Sequence, residues 1–233
     1  MSLAACFFVH DCNLSLEAAT YWLKRGRCGL VSNVMTFEGP RAARAAGVAD
    51  ELVARAREGD GDAFRAIFDR YSKPVTSFLC DLVGDRGLAE ELAQETFVRA
   101  YKALGSFRED GRVSTWIFGI AKNVARESHR SRRRESSRVA LDDEGVVELS
   151  DAAPLPEHQL LGKEFTRLVH DALGALDDDK RTVFALKVFQ QKSYEEISEI
   201  TGSSVPKLKT DLHRAKAEIR RRIRPYLGVS DGM

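Results

Sequence analysis

The segment 193–215 constrains the fold of this chain more than any other part of the sequence. It contains two short stretches of helical apolar periodicity, which are separated by a turn-prone sequence around Gly202. Ser193 and Glu196 have the S-x-x-E spacing of a capping box, which predicts where the first helix begins. Ser204 is placed to cap the second helix. The segment therefore predicts a helix-turn-helix.

The second helix of this motif has a basic outer face. With Leu208 and Leu212 facing inward, the outward positions are polar or basic: Lys207, Lys209, Thr210, His213 and Arg214. Such a face suits DNA phosphates and base edges in a major groove. An ordinary amphipathic hairpin with a solvated basic face has the same pattern, so this segment alone favours DNA binding by only a small margin.

The net charge of +1 hides a strong segregation of charge along the chain. Residues 122–138 hold seven basic and two acidic residues, and residues 207–224 hold eight basic and two acidic residues. Residues 139–157 lie between them and hold six acidic residues and no basic residue. Two basic segments on either side of an acidic one are expected of separate contacts with a polyanion.

Composition excludes several classes of protein. The chain is 43% hydrophobic and 30% charged, as in an ordinary globular protein, and it has no apolar run of the roughly 20 residues that a membrane span needs. We therefore predict a cytoplasmic protein with no membrane partner. A zinc site can be drawn from N-terminal side chains, but their spacing matches no common ligand pattern, so we predict no metal and no cofactor: Cys6, His10, Cys12 and Cys28.

Helical periodicity without strand alternation predicts an all-α protein with two small domains. We predict one domain over residues 48–138 and a second over residues 158–227. The acidic residues 139–157 form a flexible linker that cannot bury enough apolar surface to fold. Residues 1–47 have no sustained periodicity and form either a regulatory extension or a segment that precedes a natural start at Met35.

The first predicted domain contains two further candidate surfaces. Pro74 is predicted to open a new helix, and the next helix runs from Asp85 to about Leu104. Projection of this helix places four side chains together on its exposed half: Glu91, Gln94, Glu95 and Val98. A solvated acidic face is the common meaning of such a pattern, and a protein-docking face is the alternative.

The second candidate surface is the loop that precedes the basic helix, together with the start of that helix. It combines an aromatic residue, Phe107, with Arg108 and with Asn123 of the helix that begins near Thr115. An aromatic ring close to arginine and asparagine is what stacking on an unpaired base and hydrogen bonding to it require.

These motifs together resemble a known family. The sequences Ala89-Glu-Glu-Leu-Ala-Gln-Glu-Thr-Phe97 and Ser114-Thr-Trp-Ile-Phe-Gly-Ile-Ala-Lys-Asn123 resemble region two of an extracytoplasmic-function (ECF) sigma factor of bacterial RNA polymerase. The helix-turn-helix with Leu212-His-Arg-Ala215 resembles region four. The resemblance covers roughly residues 50–225, in the family's order and with a linker between the two regions.

The resemblance implies a role for each candidate surface, with core RNA polymerase, double- and single-stranded promoter DNA and an anti-sigma factor as partners. The following residues would dock on the clamp helices of the polymerase: Glu91, Gln94 and Glu95. The following would bind the minus-ten element, including a flipped base: Phe107, Arg108, Trp116, Asn123, Arg126 and Arg130. The following would read the minus-thirty-five element: Ser204, Lys207, Lys209, Thr210 and Arg214. Lys207 lies nearer the start of the helix and is expected to reach a base, whereas Lys209 is expected to contact a phosphate.

Two departures from the family pattern need an explanation. Asp211 stands where the family usually has a basic residue, which would place negative charge near the DNA phosphates. Asp177 replaces the usual proline before the next helix, but an aspartate can cap that helix instead.

Two other functions compete with this reading. A helix-turn-helix regulator that binds DNA alone as a dimer explains the second domain but gives the Gln94–Glu95 face and the Phe107–Asn123 region no role. A nucleic-acid enzyme is the other rival, but the sequence has neither H-E-x-x-H nor G-x-x-x-x-G-K-[ST]. We therefore expect a sigma factor without catalytic activity of its own.

Overall fold

The computed structural model describes residues 51–108, 111–139 and 168–227. All regular structure within these ranges is helical, which confirms the predicted all-α class. The predicted N-terminal extension, with the cysteines at 6, 12 and 28, lies outside the described residues. So does all of the acidic linker except its first residue.

The first group of helices precedes the linker and is defined here as α1–α4: 51–57, Gly61–Val83, Arg86–Lys102 and Val113–Val139, with a single 3-10 turn at Leu104–Ser106. Aspartates begin two of these helices. The Asp60 side chain accepts hydrogen bonds from the backbone N–H groups of Asp62 and Ala63, and the Asp85 side chain accepts one from Leu88. Gly84 ends α2 at a φ of 76°, a left-handed conformation that favours glycine.

The prediction that Pro74 opens a helix is wrong, because α2 runs through it without a break. A proline inside a helix removes one backbone hydrogen bond and costs about 3 kcal/mol. The apolar stripe of α2 continues on both sides of it, however, with Ile67, Val75 and Phe78 all buried. Burial of a large apolar side chain contributes roughly 1.5–3 kcal/mol, so the stripe outweighs the cost of the proline.

The second group of helices is defined as α5–α8: 168–174, Asp178–Phe184, Tyr194–Thr201 and Val205–Ile223, followed by a 3-10 turn at Arg224–Leu227. The predicted capping box of α7 is confirmed, since the Ser193 and Glu196 side chains each accept a hydrogen bond from the other residue's backbone N–H. Asp177 caps α6 by accepting from the Lys180 N–H. The turn between α7 and α8 places Gly202 at a φ of 73°.

Helix α6 is followed directly by a π-helix over Ala185–Phe189. The Gln190 N–H donates to Ala185 O, five residues back, at 3.0 Å. The chain then turns through Gln191, whose φ is 53°, and reaches the Ser193 cap. The wider turn therefore lets α6 end and α7 begin within a few residues.

The two groups pack against each other and share one apolar core. α4 lies against α7, and α2 lies against α6 and the π-helix. Lys192 crosses between the groups, because its ammonium donates to Ser114 Oγ at 3.1 Å and lies 5.1 Å from the centre of the Phe118 ring. Burial lowers the pKa of this lysine, although the nearby Glu196 carboxylate favours its charged form.

Arg181 joins the ends of two helices. Its Nη1 donates to Leu82 O in the last turn of α2 at 2.7 Å, across the boundary between the groups. Its Nε and Nη2 donate to three carbonyls at the end of α5: Leu173 O, Gly174 O and Leu176 O. A guanidinium satisfies the otherwise unpaired carbonyls of helix C-termini and stabilises the negative ends of their dipoles. Arg181 thereby fixes how the second group meets the first.

Candidate nucleic-acid interface

The predicted recognition helix is α8, and its faces lie as the sequence indicated. Leu208 and Leu212 are buried, whereas the predicted contact residues are exposed: Ser204, Lys207, Lys209, Thr210 and Arg214. Ser204 stands at the N-cap position, but its side chain makes no capping hydrogen bond. The Ser204 hydroxyl therefore does not accept a hydrogen bond from the backbone of α8.

Lys207 is held by two carboxylates. Its Nζ lies 2.9 Å from Asp211 Oδ2, one turn along α8, and 2.9 Å from Asp179 Oδ2 at the start of α6. The hydrogen bond to Asp211 and then the one to Asp179 raise the pKa of Lys207 above its ordinary value. The Asp211 side chain is only 13% exposed. The structure thus turns Asp211 inward onto Lys207 instead of leaving it on the outer face of the helix.

Lys209 has different surroundings. Its ammonium lies 5.6 Å from the centre of the Tyr194 ring, and it forms no ion pair with any residue in the described ranges. Thr210 donates its hydroxyl to Pro206 O at 3.1 Å. Two carboxylates compensate the charge of Lys207, whereas the ammonium of Lys209 lies near an aromatic ring.

The predicted base-binding region is divided between buried and exposed side chains. Phe107 is 6% exposed and packs on Trp116, with ring centres 5.1 Å apart, so its ring is covered in this conformation. Asn123, Arg126 and Arg130 are exposed on α4. Arg108 is exposed beside the short gap at residues 109–110, which lie outside the described ranges.

The predicted docking face on α3 is exposed, with Glu91, Gln94 and Glu95 all accessible. Arg99 ties this face to α4, since it donates to Glu95 at 2.7 Å and to Glu127 at 2.7 Å.

Exposed apolar side chains lie beside the acidic face of α3. Helix α3 also presents Val98 and Tyr101 to solvent, and α2 presents Phe68. Phe64 and Phe68 pack edge-on against Tyr101 and Phe97 respectively. The face therefore combines acidic and apolar groups.

A cleft of about 350 Å³ separates α4 from α6 and from the start of α8. Basic residues of α4 line one wall: Lys122, Arg126, His129 and Arg132. The other wall is lined by Asp178, Asp179 and Lys207. His129 Nδ1 lies 3.2 Å from Asp178 Oδ2, and the Lys122 ammonium donates to Ile200 O at 3.3 Å. Burial, and then the nearby Arg126, lower the pKa of Lys122.

The sequence did not predict this cleft or the role of Asp179. The cleft depends on how the two groups pack, which no local pattern encodes. The pairing of Lys207 with Asp211 did leave a signal, because residues four apart face each other on a helix.

Other site types find no support in the part of the chain that the structure describes. These ranges contain no cluster of three or more His, Cys, Asp or Glu side chains that could hold a metal ion. None of the helices within them combines the length and apolarity needed to cross a membrane.

Comparison with known proteins identifies the family. The family model for Sigma-70 region 2 matches residues 67–135, and the model for Sigma-70, region 4 matches residues 166–219. The RNA polymerase sigma-H factor of Pseudomonas aeruginosa is 33% identical over 183 residues, which cover 76% of this chain and 94% of that protein. The ECF RNA polymerase sigma factor SigW of Bacillus subtilis is 31% identical, over 74% of this chain and 95% of SigW. The chain belongs to the ECF sigma factors.

Solved structures show the same fold for this sigma factor. CnrH, in complex with the cytosolic domain of CnrY, aligns with a TM-score of 0.57 at 23% identity, over 76% of this chain and 98% of that one. The sigma factor RpoE of Bartonella quintana, in complex with the anti-sigma factor NepR, aligns with a TM-score of 0.56 at 22% identity, over 69% and 96% of the two chains. The family models and the sequence relatives confirm the predicted resemblance, and a dimeric regulator that acts without polymerase is not favoured.

Proposed function

We propose that this sigma factor binds core RNA polymerase, directs it to a subset of promoters and helps to open the DNA there. The observation that carries the proposal is the presence of both sigma regions in one chain, in the family's order. Its relatives are named as RNA polymerase sigma factors, and the match spans nearly their whole length. The activity is one of binding and placement, without a catalytic step of its own, and it takes place in the cytoplasm, where transcription occurs.

The exposed α3 face is the proposed polymerase contact. It carries Glu91, Gln94 and Glu95 next to the apolar side chains of Val98 and Tyr101. An apolar patch with a polar rim is typical of a protein interface. Arg99 pairs with Glu95 of the same helix and with Glu127 of α4, which restrains the Glu95 side chain and would lower the ordering cost of docking.

The exposed side of α4 is the proposed minus-ten contact. Asn123 would hydrogen-bond to an extruded base, and Arg126 and Arg130 would follow the phosphates. The Phe107–Trp116 ring pair lies at the edge of this region. Phe107 would then need either to support the base pocket from below or to turn outward, with Arg108 beside it.

The outer face of α8 is the proposed minus-thirty-five contact. Lys209, Thr210 and Arg214 would meet the DNA backbone and base edges, and Ser204 and Lys207 lie at the end of the helix that enters the groove. We also propose an anti-sigma factor as a partner, because RpoE of Bartonella quintana, which has this fold, was solved in complex with the anti-sigma factor NepR.

One experiment tests the whole function. The purified full-length chain should co-purify with bacterial core polymerase and should confer transcription from a promoter library that core polymerase alone does not transcribe. Retention of double-stranded DNA by the chain alone, without binding to core polymerase, would contradict the proposal and would favour a conventional regulator.

A further inference from the structure

Lys207, near the start of α8, donates most of its hydrogen bonds to other side chains of the protein. An ammonium has three N–H donors, and Lys207 directs two of them to Asp179 and Asp211 at 2.9 Å each. The Lys207 side chain is still 48% exposed. One donor is therefore left for an acceptor outside the protein, at a position that the two carboxylates define.

The pair does little for the helix itself. A lysine that precedes an aspartate by four residues is the less favourable order in an α-helix, because it opposes the helix dipole. Asp211 is nearly buried, and a buried carboxylate needs a partner. Lys207 supplies that partner, so the arrangement serves to fix the two side chains relative to each other.

The local charge disfavours a phosphate at this point. Within the cluster of Lys207, Asp179 and Asp211, one ammonium between two carboxylates leaves a net negative charge, which makes the Lys207 ammonium a poor partner for a phosphate. A base edge carries only partial charges, and guanine presents two adjacent acceptors, O6 and N7, in the major groove. A single positioned donor with its charge compensated suits such an edge better than it suits the backbone.

We propose that Asp211 is a positioning residue that holds Lys207 for one base-edge contact in the minus-thirty-five element, with Asp179 as the second support. The inference rests on the proposed function of α8. The contacted base carries a major-groove acceptor, with guanine the best match. Asp211 thus contributes to sequence specificity without contacting the DNA. The raised pKa of Lys207 agrees with this role, because the two carboxylates keep the ammonium charged.

The test uses the full-length chain bound to core polymerase and promoter DNA randomised across the minus-thirty-five element. Sequencing of the retained DNA gives the base preference at each position. We expect Lys207→Ala and Asp211→Asn to weaken the preference at the same single position, by about tenfold for the lysine variant. The double variant should be no worse than Lys207→Ala alone. Asp179→Asn should weaken the same preference to a smaller extent.

Salt dependence separates positioning from a general effect of charge. Lys207→Ala should leave the slope of log affinity against log salt unchanged, because its charge does not neutralise a phosphate. Asp211→Asn should steepen the slope by up to about 1, since the freed lysine can then reach the backbone. Lys209→Ala is the matched lysine control, with a uniform loss across sequences. Glu199→Gln is the matched charge control, because it removes an exposed carboxylate of α7 that does not contact Lys207.

The possible outcomes are distinct. Wild-type base preference in both Asp179→Asn and Asp211→Asn would overturn the proposal. So would a uniform loss in Lys207→Ala with a slope lower by about 1, which indicates a phosphate contact. Asp179 is largely exposed, so its variant remains informative if Asp211→Asn lowers the melting temperature. Failure of the wild-type chain to bind core polymerase would instead refute the proposed function.

Discussion

Replacement of Asp81 should change the stability of the protein in a strongly pH-dependent way. Asp81 lies in the last turns of α2 and is partly exposed as a residue, but its Oδ2 is inaccessible and has no hydrogen-bond partner in the described ranges. Desolvation raises the pKa of this carboxyl to about 8, from an ordinary value of 3.8. Below about pH 4 the carboxyl is protonated in the folded and the unfolded chain, and burial has no ionisation cost. Above that pH the unfolded chain releases the proton while the folded chain retains it, so the free energy of unfolding falls until about pH 8.

The magnitude follows from the two pKa values. Each pH unit between them removes about 1.4 kcal/mol from the free energy of unfolding, which amounts to roughly 5 kcal/mol at pH 8 and roughly 1–2 kcal/mol at pH 5. Asp81→Asn keeps the shape of the side chain and cannot ionise. We therefore expect it to stabilise the protein more at pH 8 than at pH 5, by at least about 2 kcal/mol even if water enters the site in the native chain.

Urea unfolding of both chains at pH 5, 6.5 and 8 measures this difference, because the pH-independent cost of a buried amide cancels between the two pH values. Asp69→Asn is the control, since Asp69 is an exposed carboxylate on the same helix. A stabilisation by Asp81→Asn that is equal at pH 5 and pH 8 would show that the carboxyl is hydrated or paired in the folded chain and that burial does not raise its pKa.

Three other predictions concern function. Gln94→Ala combined with Glu95→Lys should abolish binding to core polymerase in a pull-down and should shift stability by only about 0.5–1 kcal/mol, because the side chains are exposed; unimpaired binding would refute the docking face. Deletion of residues 1–34 should leave promoter-specific transcription intact, and a large loss, or loss of a bound zinc ion, would show that this segment is functional. Asn123→Ala should impair transcription both on a duplex promoter and on a pre-melted bubble; full activity on the bubble would assign the residue to melting instead of base capture.

The sequence predicted those parts of the fold that local chemistry determines. The Ser193–Glu196 capping box and the cap at Asp177 depend only on residues within one helical turn, and both are as predicted. The exposed acidic face of α3 follows from helical periodicity in the same way.

Side-chain packing explains what the sequence did not predict. Pro74 is a helix breaker by its local preference, yet the buried stripe of α2 keeps the helix continuous. The sequence predicts Asp211 near the DNA phosphates, whereas the structure turns it inward onto Lys207, which Asp179 of another helix also holds. Phe107 was expected to be exposed, but Trp116 covers it. In each case, the outcome depends on side-chain packing in the folded chain.

The packing of the two helical groups also limits what this form of the protein can do. Arg126 and Lys207 line the same cleft, with Arg181 bonded to Leu82 beside it. Elements at minus ten and minus thirty-five are separated by roughly 25 base pairs, which is roughly 85 Å of duplex at 3.4 Å per base pair. A chain that reads both elements must therefore separate its two groups and expose part of their shared core to water. Only the separated fraction of molecules is competent, so apparent promoter affinity is reduced by that fraction. A partner that binds the separated form more tightly would therefore raise promoter binding, and a partner that binds the packed form more tightly would lower it.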